Sequence, residues 1–280
     1  MPFPLDMIGR YVSLFDHHAS AIDAQRRLVG DNDRDGHVKS RSALPSVSRE
    51  LVRTGRRFHE RGWMPGTSGN LSTVLRRRPL RLAITASAID KGSLRPEHIV
   101  QVGETGKLIE RRPPGTRRRE ASMTRASVSG RGALRLAPSA EALLHVEIVR
   151  RRGASAVLHT HSVWATMLSD VHASHGGLAL QGYELLKGLR GVTTHEHREW
   201  IPIVANDQDM ERLARRVGAA LDHAGDAHAI LLQQHGLYTW GGSLQEAVRH
   251  VEVLEFLFET IGRTAAYSRQ EVPHGAPQNP

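Results

Sequence analysis

Hydrophobic positions along this chain switch repeatedly between helical spacing and short runs of strand length. Leu51, Val52, Gly55, Phe58 and His59 recur at helical spacing from about residue 48, and Gly62 supplies a stop. Apolar runs of strand length follow at 80–85 and 99–102. The pattern then predicts a helix over 139–151 opened by Ser139, a strand at 154–159, a helix over 162–169 and a short helix or turn at 182–189. A strand at 201–204, a helix from Asp207 to about residue 220, and strands at 229–234 and 237–240 continue the alternation. Ser243 and Glu246 form a capping-box pattern before a stripe of Leu244, Val248, Val251, Leu254, Phe258 and Ile261, with Gly262 placed to end that helix. Residues 1–45 are mostly polar and charged, and residues 111–138 lack periodicity and are rich in Arg, Ser, Gly and Pro. We therefore expect a poorly ordered extension at 1–45, one α/β or α+β domain over 46–265 with a loop insertion near 111–138, and a polar tail at 266–280.

Composition narrows the classes. Of 280 residues, 39% are hydrophobic and 24% charged, as expected of a soluble globular protein, and no apolar run approaches a membrane span. The N-terminus carries an acid early and lacks a long apolar core, so it does not read as a secretory signal, and a cytoplasmic location is the default expectation. The net charge of +9 raises the question of nucleic acid. However, much of the arginine lies in the aperiodic segment (Arg111, Arg112, Arg117, Arg118, Arg119, Arg125, Arg131, Arg135), with no interleaved aromatic residues to stack bases, and no nucleic-acid partner is expected. There is no cysteine, so any metal must be held by histidine and carboxylate.

Candidate chemistry concentrates at strand ends. His159 and His161 stand at i and i+2 directly after an apolar run, where strand alternation points both to one face. His235 follows a second apolar run. Three imidazoles converging from two strand ends make a three-nitrogen site with one position open, the arrangement of a catalytic metal centre. With 17 histidines in the chain, chance placement is the competing reading. Small polar clusters, Thr67-Ser68-Gly69-Asn70, Thr85-Ala86-Ser87-Ala88 and Pro138-Ser139, have the composition of anion cradles, and equally of tight turns. Two carboxylates stand out. Glu141 lies in the first turn of a predicted helix, where an acid is favoured in any case, and Glu184 lies between the histidine sites.

Gly66-Thr-Ser-Gly-Asn-Leu-Ser72, His159-Thr-His161-Ser162 and His235-Gly-Leu-Tyr-Thr-Trp-Gly241, in this order, resemble the class II aldolase superfamily of zinc lyases. Arg61-Gly-Trp-Met-Pro-Gly66, Asp90-Lys-Gly92, Gly182-Tyr-Glu-Leu-Leu-Lys-Gly188, Thr194-His-Glu196 and Glu255-Phe-Leu-Phe-Glu259 resemble its methylthioribulose-1-phosphate dehydratase family, which serves methionine salvage. The resemblance implies a three-layer α/β/α fold with a central, mainly antiparallel sheet. It implies one zinc ion per subunit on His159, His161 and His235, with Glu184 as general acid/base. Glu141 matches the position of the catalytic or metal-contacting glutamate of class II aldolases. A phosphate site is implied near Ser68, Gly69, Asn70, Ser87 and Ser139, as is a homotetramer with active sites near subunit interfaces. One departure stands in the second cluster, where Ala88 replaces the family's glycine. The competing expectations are an aldolase or epimerase acting on another sugar phosphate, and a non-catalytic polyanion-binding protein.

Overall fold

The structure, a computed structural model, describes residues 43–109 and 136–270. All but the last three residues of the expected extension, most of the expected insertion and the end of the tail fall outside the described residues; the expected extension's residues 43–45 belong to the first helix, so the ordered domain begins by residue 43.

Five helices and eight strands alternate in the order α1 (Ala43–Glu60), β1 (Asn70–Arg77), β2 (Leu80–Thr85), β3 (Ile99–Val102), α2 (Ala142–Arg152), β4 (Ala156–Thr160), α3 (Val163–Val171), β5 (Gly177–Gln181), β6 (Arg198–Val204), α4 (Met210–His223), β7 (Ala229–Leu232), β8 (Gly236–Gly241) and α5 (Leu244–Gln270) among the described residues. The strands form one sheet in the order β3-β2-β1-β4-β8-β7-β6-β5. Every pairing is antiparallel except β6 with β7.

Strand alternation sorts the side chains into two cores. Val157, Ile230, Leu232, Tyr238 and Trp240 point to one face and pack with Leu144 and Ile148 of α2 and Leu213 and Val217 of α4. Their neighbours Ala156 and Leu158 point to the other face, against Leu51 and Phe58 of α1 and Val251 of α5. Leu231 and Leu237 also lie on that face, with Ala165 and Leu168 of α3 and Leu254 and Phe258 of α5. Helices on both faces of a mainly antiparallel sheet give the three-layer α/β/α arrangement expected. Among the described residues, no helix is long and apolar enough to cross a membrane.

Local chemistry sets the helix ends. Ser162 caps α3 by accepting from Ala165 N at 3.0 Å, and Asp209 caps α4 by accepting from Arg212 N at 2.9 Å. Before α5, Ser243 accepts from Glu246 N at 3.1 Å while the Glu246 carboxylate accepts from Gly242 N. Gly262 does not end α5, which runs on to Gln270. A Cβ at Gly262 would lie 2.3 Å from the Trp164 ring, so the missing side chain serves close packing of α5 on α3.

The end of the sheet opposite the histidine-bearing loops holds a buried ion pair. His228 places Nδ1 3.0 Å from Glu199 Oε2 and Nε2 2.8 Å from the Arg190 carbonyl, so both ring nitrogens face acceptors and only the imidazolium satisfies both. Burial pushes His228 down, but the Glu199 carboxylate outweighs it and the net shift is upward from 6.5. Burial pushes Glu199 up, and His228 and His197 outweigh it, holding the carboxyl below 4.5. The raised group adds stability that is full below pH 6.5 and is lost as pH rises through its folded value. The depressed group adds stability that is present above pH 4.5 and is lost as pH falls through its own. His228→Asn is therefore expected to cost more stability at about pH 6 than at about pH 9. Denaturant midpoints of both proteins at the two pH values check this, and an equal cost at both would remove the imidazolium assignment.

Candidate metal and substrate site

β4 delivers two of the histidines. Val157, His159 and His161 follow the alternation that faces α2 and α4, with His161 one residue past the strand end. The third, His235, sits in the turn from β7 to β8, after Gln234, whose φ of 54° lies in the left-handed region. Gln234 is held there by its backbone N–H on Ser169 Oγ at 3.0 Å and its amide on Asp170 at 2.9 Å. A Cβ on the next residue but one, Gly236, would lie 2.1 Å from the Thr160 carbonyl. This close approach of β8 to β4 brings His235 against the other two rings.

The three Nε2 atoms converge. His159 lies 2.8 Å from His161 and 3.2 Å from His235, and His161 lies 3.2 Å from His235. His159 Nδ1 lies 2.9 Å from the Leu237 carbonyl, to which it donates, so its Nε2 carries the lone pair in the neutral ring. Burial pushes His161 down to about 3, assisted by the neighbouring rings. Nitrogen spacings near 3.2 Å suit ligands of one tetrahedral ion, which sit about 3.3 Å apart at bonds of about 2.0–2.1 Å. Glu141, just before α2, adds Oε1 at 3.1 Å from His235 Nε2 and Oε2 at 3.5 Å from His159 Nε2. Burial pushes its carboxyl up, but the His159 and His235 rings prevail and hold it well below the usual carboxylate range. Glu141, His159, His161 and His235 form the one cluster of potential metal ligands found among the described residues, and their donor set fits a divalent transition metal.

A cavity of about 360 Å³ opens on this cluster, and all five small polar residues singled out in the sequence, Ser68, Gly69, Asn70, Ser87 and Ser139, line it. An antiparallel bridge from Ala86 to Pro138 and the Ser87 N–H on the Ala137 carbonyl at 3.0 Å pull two of the clusters together. Gly69 closes against β4, where a Cβ would lie 2.7 Å from the His159 carbonyl. Ala88 adopts a φ of 57°, the left-handed region that its predicted glycine counterpart adopts freely. Ala88→Gly is therefore expected to stabilise the protein by about 1 kcal/mol, the ordinary cost of this conformation for an L-residue. Its thermal midpoint should rise, and a fall would show that the Cβ is needed.

Sequence reasoning passed over Lys91 as a site residue, although Asp90-Lys-Gly92 had marked the segment. Lys91 is 1% exposed, lines the cavity and donates to the Thr67 and Ile89 carbonyls at 2.9 and 2.8 Å. Burial pushes it down to about 8, while Asp90 and Glu141 draw it partly back. It also passed over Tyr238, whose ring stacks on His159 at 3.9 Å and 12°. Glu184 stands apart from the cluster. It begins a 3-10 turn (Glu184–Gly188), is 71% exposed, pairs with Lys187 and lies 3.9 Å from His195 Nδ1, and it does not line the cavity.

A three-layer fold carrying three converging imidazoles and a glutamate beside serine- and glycine-rich loops defines a class of metal-dependent lyases. Residues 49–261 match the family described as Class II Aldolase and Adducin N-terminal domain, and the chain belongs to that family. Within it, the chain is 42% identical over 221 residues to a methylthioribulose-1-phosphate dehydratase of Methylococcus capsulatus, covering 79% of this chain and 95% of the relative. It is 38% identical to the same-named protein of Sorangium cellulosum, over 78% and 92% of the two chains. Among solved structures, YgbL of Escherichia coli, a putative aldolase/epimerase/decarboxylase, superposes with a TM-score of 0.59 at 25% identity, covering 79% of this chain and 90% of that one. The L-fuculose-1-phosphate aldolase of Thermus thermophilus, at 21% identity, 80% and 98% coverage and a TM-score of 0.57, shares the fold.

Proposed function

We propose that this chain is a methylthioribulose-1-phosphate dehydratase. It removes water from 5-methylthioribulose 1-phosphate to give 2,3-diketo-5-methylthiopentyl 1-phosphate. The observation that carries this reading is the clustering of His159, His161, His235 and Glu141, all but the buried His159 lining one cavity walled by small polar loops, in a chain 42% identical to a dehydratase over 79% of its length.

His159, His161 and His235 would hold one zinc ion per chain. When bound, such an ion polarises the substrate carbonyl and makes the neighbouring C–H acidic. Ser68, Ser87 and Ser139 and the Gly69 backbone receive the phosphate, and the buried Lys91 supplies positive charge to that wall of the cavity. A carboxylate takes the proton from C3, and a proton is delivered to the C4 hydroxyl as the C4–O bond breaks, so that water leaves. The enol then tautomerises to the diketone. Glu184 takes the acid/base role. Because it is exposed and outside its own chain's cavity, we assign it to the cavity of a neighbouring copy in a homotetramer. Val163, Met167 and Val171, an exposed apolar stripe on α3 beginning two residues after His161, support such an interface.

The test is turnover of methylthioribulose 1-phosphate by purified protein, with metal content determined on the same sample. Diketone phosphate with about one zinc per chain is expected. Carbon–carbon cleavage products would replace the dehydratase by an aldolase, and neither product in a folded, zinc-supplied sample would remove the enzyme reading.

A further inference from the structure

The three clustered histidines are held by different means. His159 lies inside the sheet, paired to β1 on one side and β8 on the other. His235 is fixed in its turn, where its carbonyl accepts from Thr166 Oγ1 at 3.1 Å and its N–H donates to the Leu232 carbonyl at 3.1 Å. His161 stands one residue beyond the last β4–β8 pair, Thr160 with Leu237. Its N–H donates to the Trp63 carbonyl at 2.8 Å, and its Nδ1 makes no hydrogen bond among the described residues. The place of this ring is therefore set through the backbone on either side of it.

The two neighbours, Thr160 and Ser162, both carry hydroxyls and are 0% and 2% exposed. Alternation turns Thr160 to the face of Ala156 and Leu158, away from the histidine rings and toward α5. There its Oγ1 donates to Glu255 Oε1 at 2.8 Å. The Ser162 hydroxyl accepts from Ala165 N at 3.0 Å, which leaves its proton for the same carboxyl. Glu255 is itself buried, on a helix that otherwise buries Val251, Leu254 and Phe258 here, and its Oε2 has no hydrogen-bond partner among the described residues. An unpaired carboxyl oxygen in a core is destabilising, and a leucine at this position would avoid it. Burial pushes the carboxyl up to about 7, the Ser162 and Thr160 hydroxyls draw it back, and Glu259 one turn on adds to the rise. Near neutral pH the acceptor that the hydroxyls share is thus as much the carbonyl of an acid as a carboxylate.

We propose that Glu255 is a positioning residue of the metal centre: by taking the hydroxyls of Thr160 and Ser162 it clamps the chain on both sides of His161 and sets that ring against the other two. The inference rests on the reading that these histidines hold a metal, and it is independent of the reaction catalysed. Glu255 makes no hydrogen bond to the ligand rings and does not line the cavity, so it acts only through the corner between β4 and α3.

Titration of metal-free protein with Co2+, followed by the visible absorption of the bound ion, tests this without any turnover. Glu255→Leu should bind Co2+ about 10- to 100-fold more weakly than wild type, the usual effect of losing an outer partner of a metal ligand. Glu255→Gln keeps an acceptor for both hydroxyls and should stay within about 3-fold of wild type. The double variant Thr160→Val/Glu255→Leu replaces both partners of the buried bond by apolar groups, so the thermal midpoint of its metal-free form should stay near that of wild type. Its Co2+ affinity should nevertheless be as low as that of Glu255→Leu alone, because the two residues act as one unit. A residue that only packed the core would move the thermal midpoint and leave the affinity alone. A folded double variant with wild-type Co2+ affinity, or a Glu255→Gln protein as weak as Glu255→Leu, overturns the clamp while leaving the metal centre standing. Wild-type protein that takes up no Co2+ removes the metal reading itself, and the inference with it.

Discussion

His159→Ala is expected to abolish metal binding and to lower turnover by about 10³-fold or more, since charge stabilisation by a bound ion is worth several kcal/mol and each 1.4 kcal/mol is about tenfold. Its Nε2 is within 3.2 Å of both other ligand nitrogens, and its Nδ1 is fixed on the Leu237 carbonyl. No rotation of the remaining two rings replaces it. The same ring is 0% exposed and stacked on Tyr238, so this variant also loses stability. His161→Ala and His235→Ala separate the effects, because both rings are only partly buried and should lose metal with little change in thermal midpoint. Metal analysis, circular dichroism and turnover on the three variants check this together. A His159→Ala protein that is folded, metal-free and still within about tenfold of wild type would remove the metal from the reaction.

The histidine cluster was legible because strand alternation is a short-range rule. Once 154–159 read as a strand, His159 and His161 had to share a face, and the structure places them there. The clustered small polar residues were legible for a similar reason, as loops at strand and helix ends. What did not show was partnership across sequence distance. Nothing near Thr160 announces that Glu255, 95 residues away, accepts from its hydroxyl. Lys91 looked like any surface lysine because burial is a property of the assembled loops. The edge strand β5, Gly-Leu-Ala-Leu-Gln, went unpredicted because leucine and alanine favour helix locally, and only pairing with β6 makes it a strand. Gly262 misled in the other direction. A residue read as a helix stop is there because Trp164 occupies the space of its side chain.

Glu184→Gln is expected to lower kcat by about 10²- to 10⁴-fold, the usual contribution of a general acid/base, while leaving metal content and fold intact. The fold should not respond, because the carboxylate is 71% exposed and its partners are Lys187 on the same turn and His195 at 3.9 Å. The more decisive result comes from mixing. His159→Ala chains keep Glu184 but no metal, and Glu184→Gln chains keep metal but no acid. If each cavity draws Glu184 from a neighbour, subunits exchanged at equal ratio should regain about a quarter of wild-type activity, since random pairing joins an intact cluster to an intact glutamate in about one site of four. If Glu184 serves its own chain, through a rearrangement of the 182–197 segment, no mixture regains activity. If Glu184 is a surface acid paired with Lys187 and nothing more, the single variant is active before any mixing. Each result assigns the residue differently, and the exposed stripe of Val163, Met167 and Val171 beside His161 favours the first.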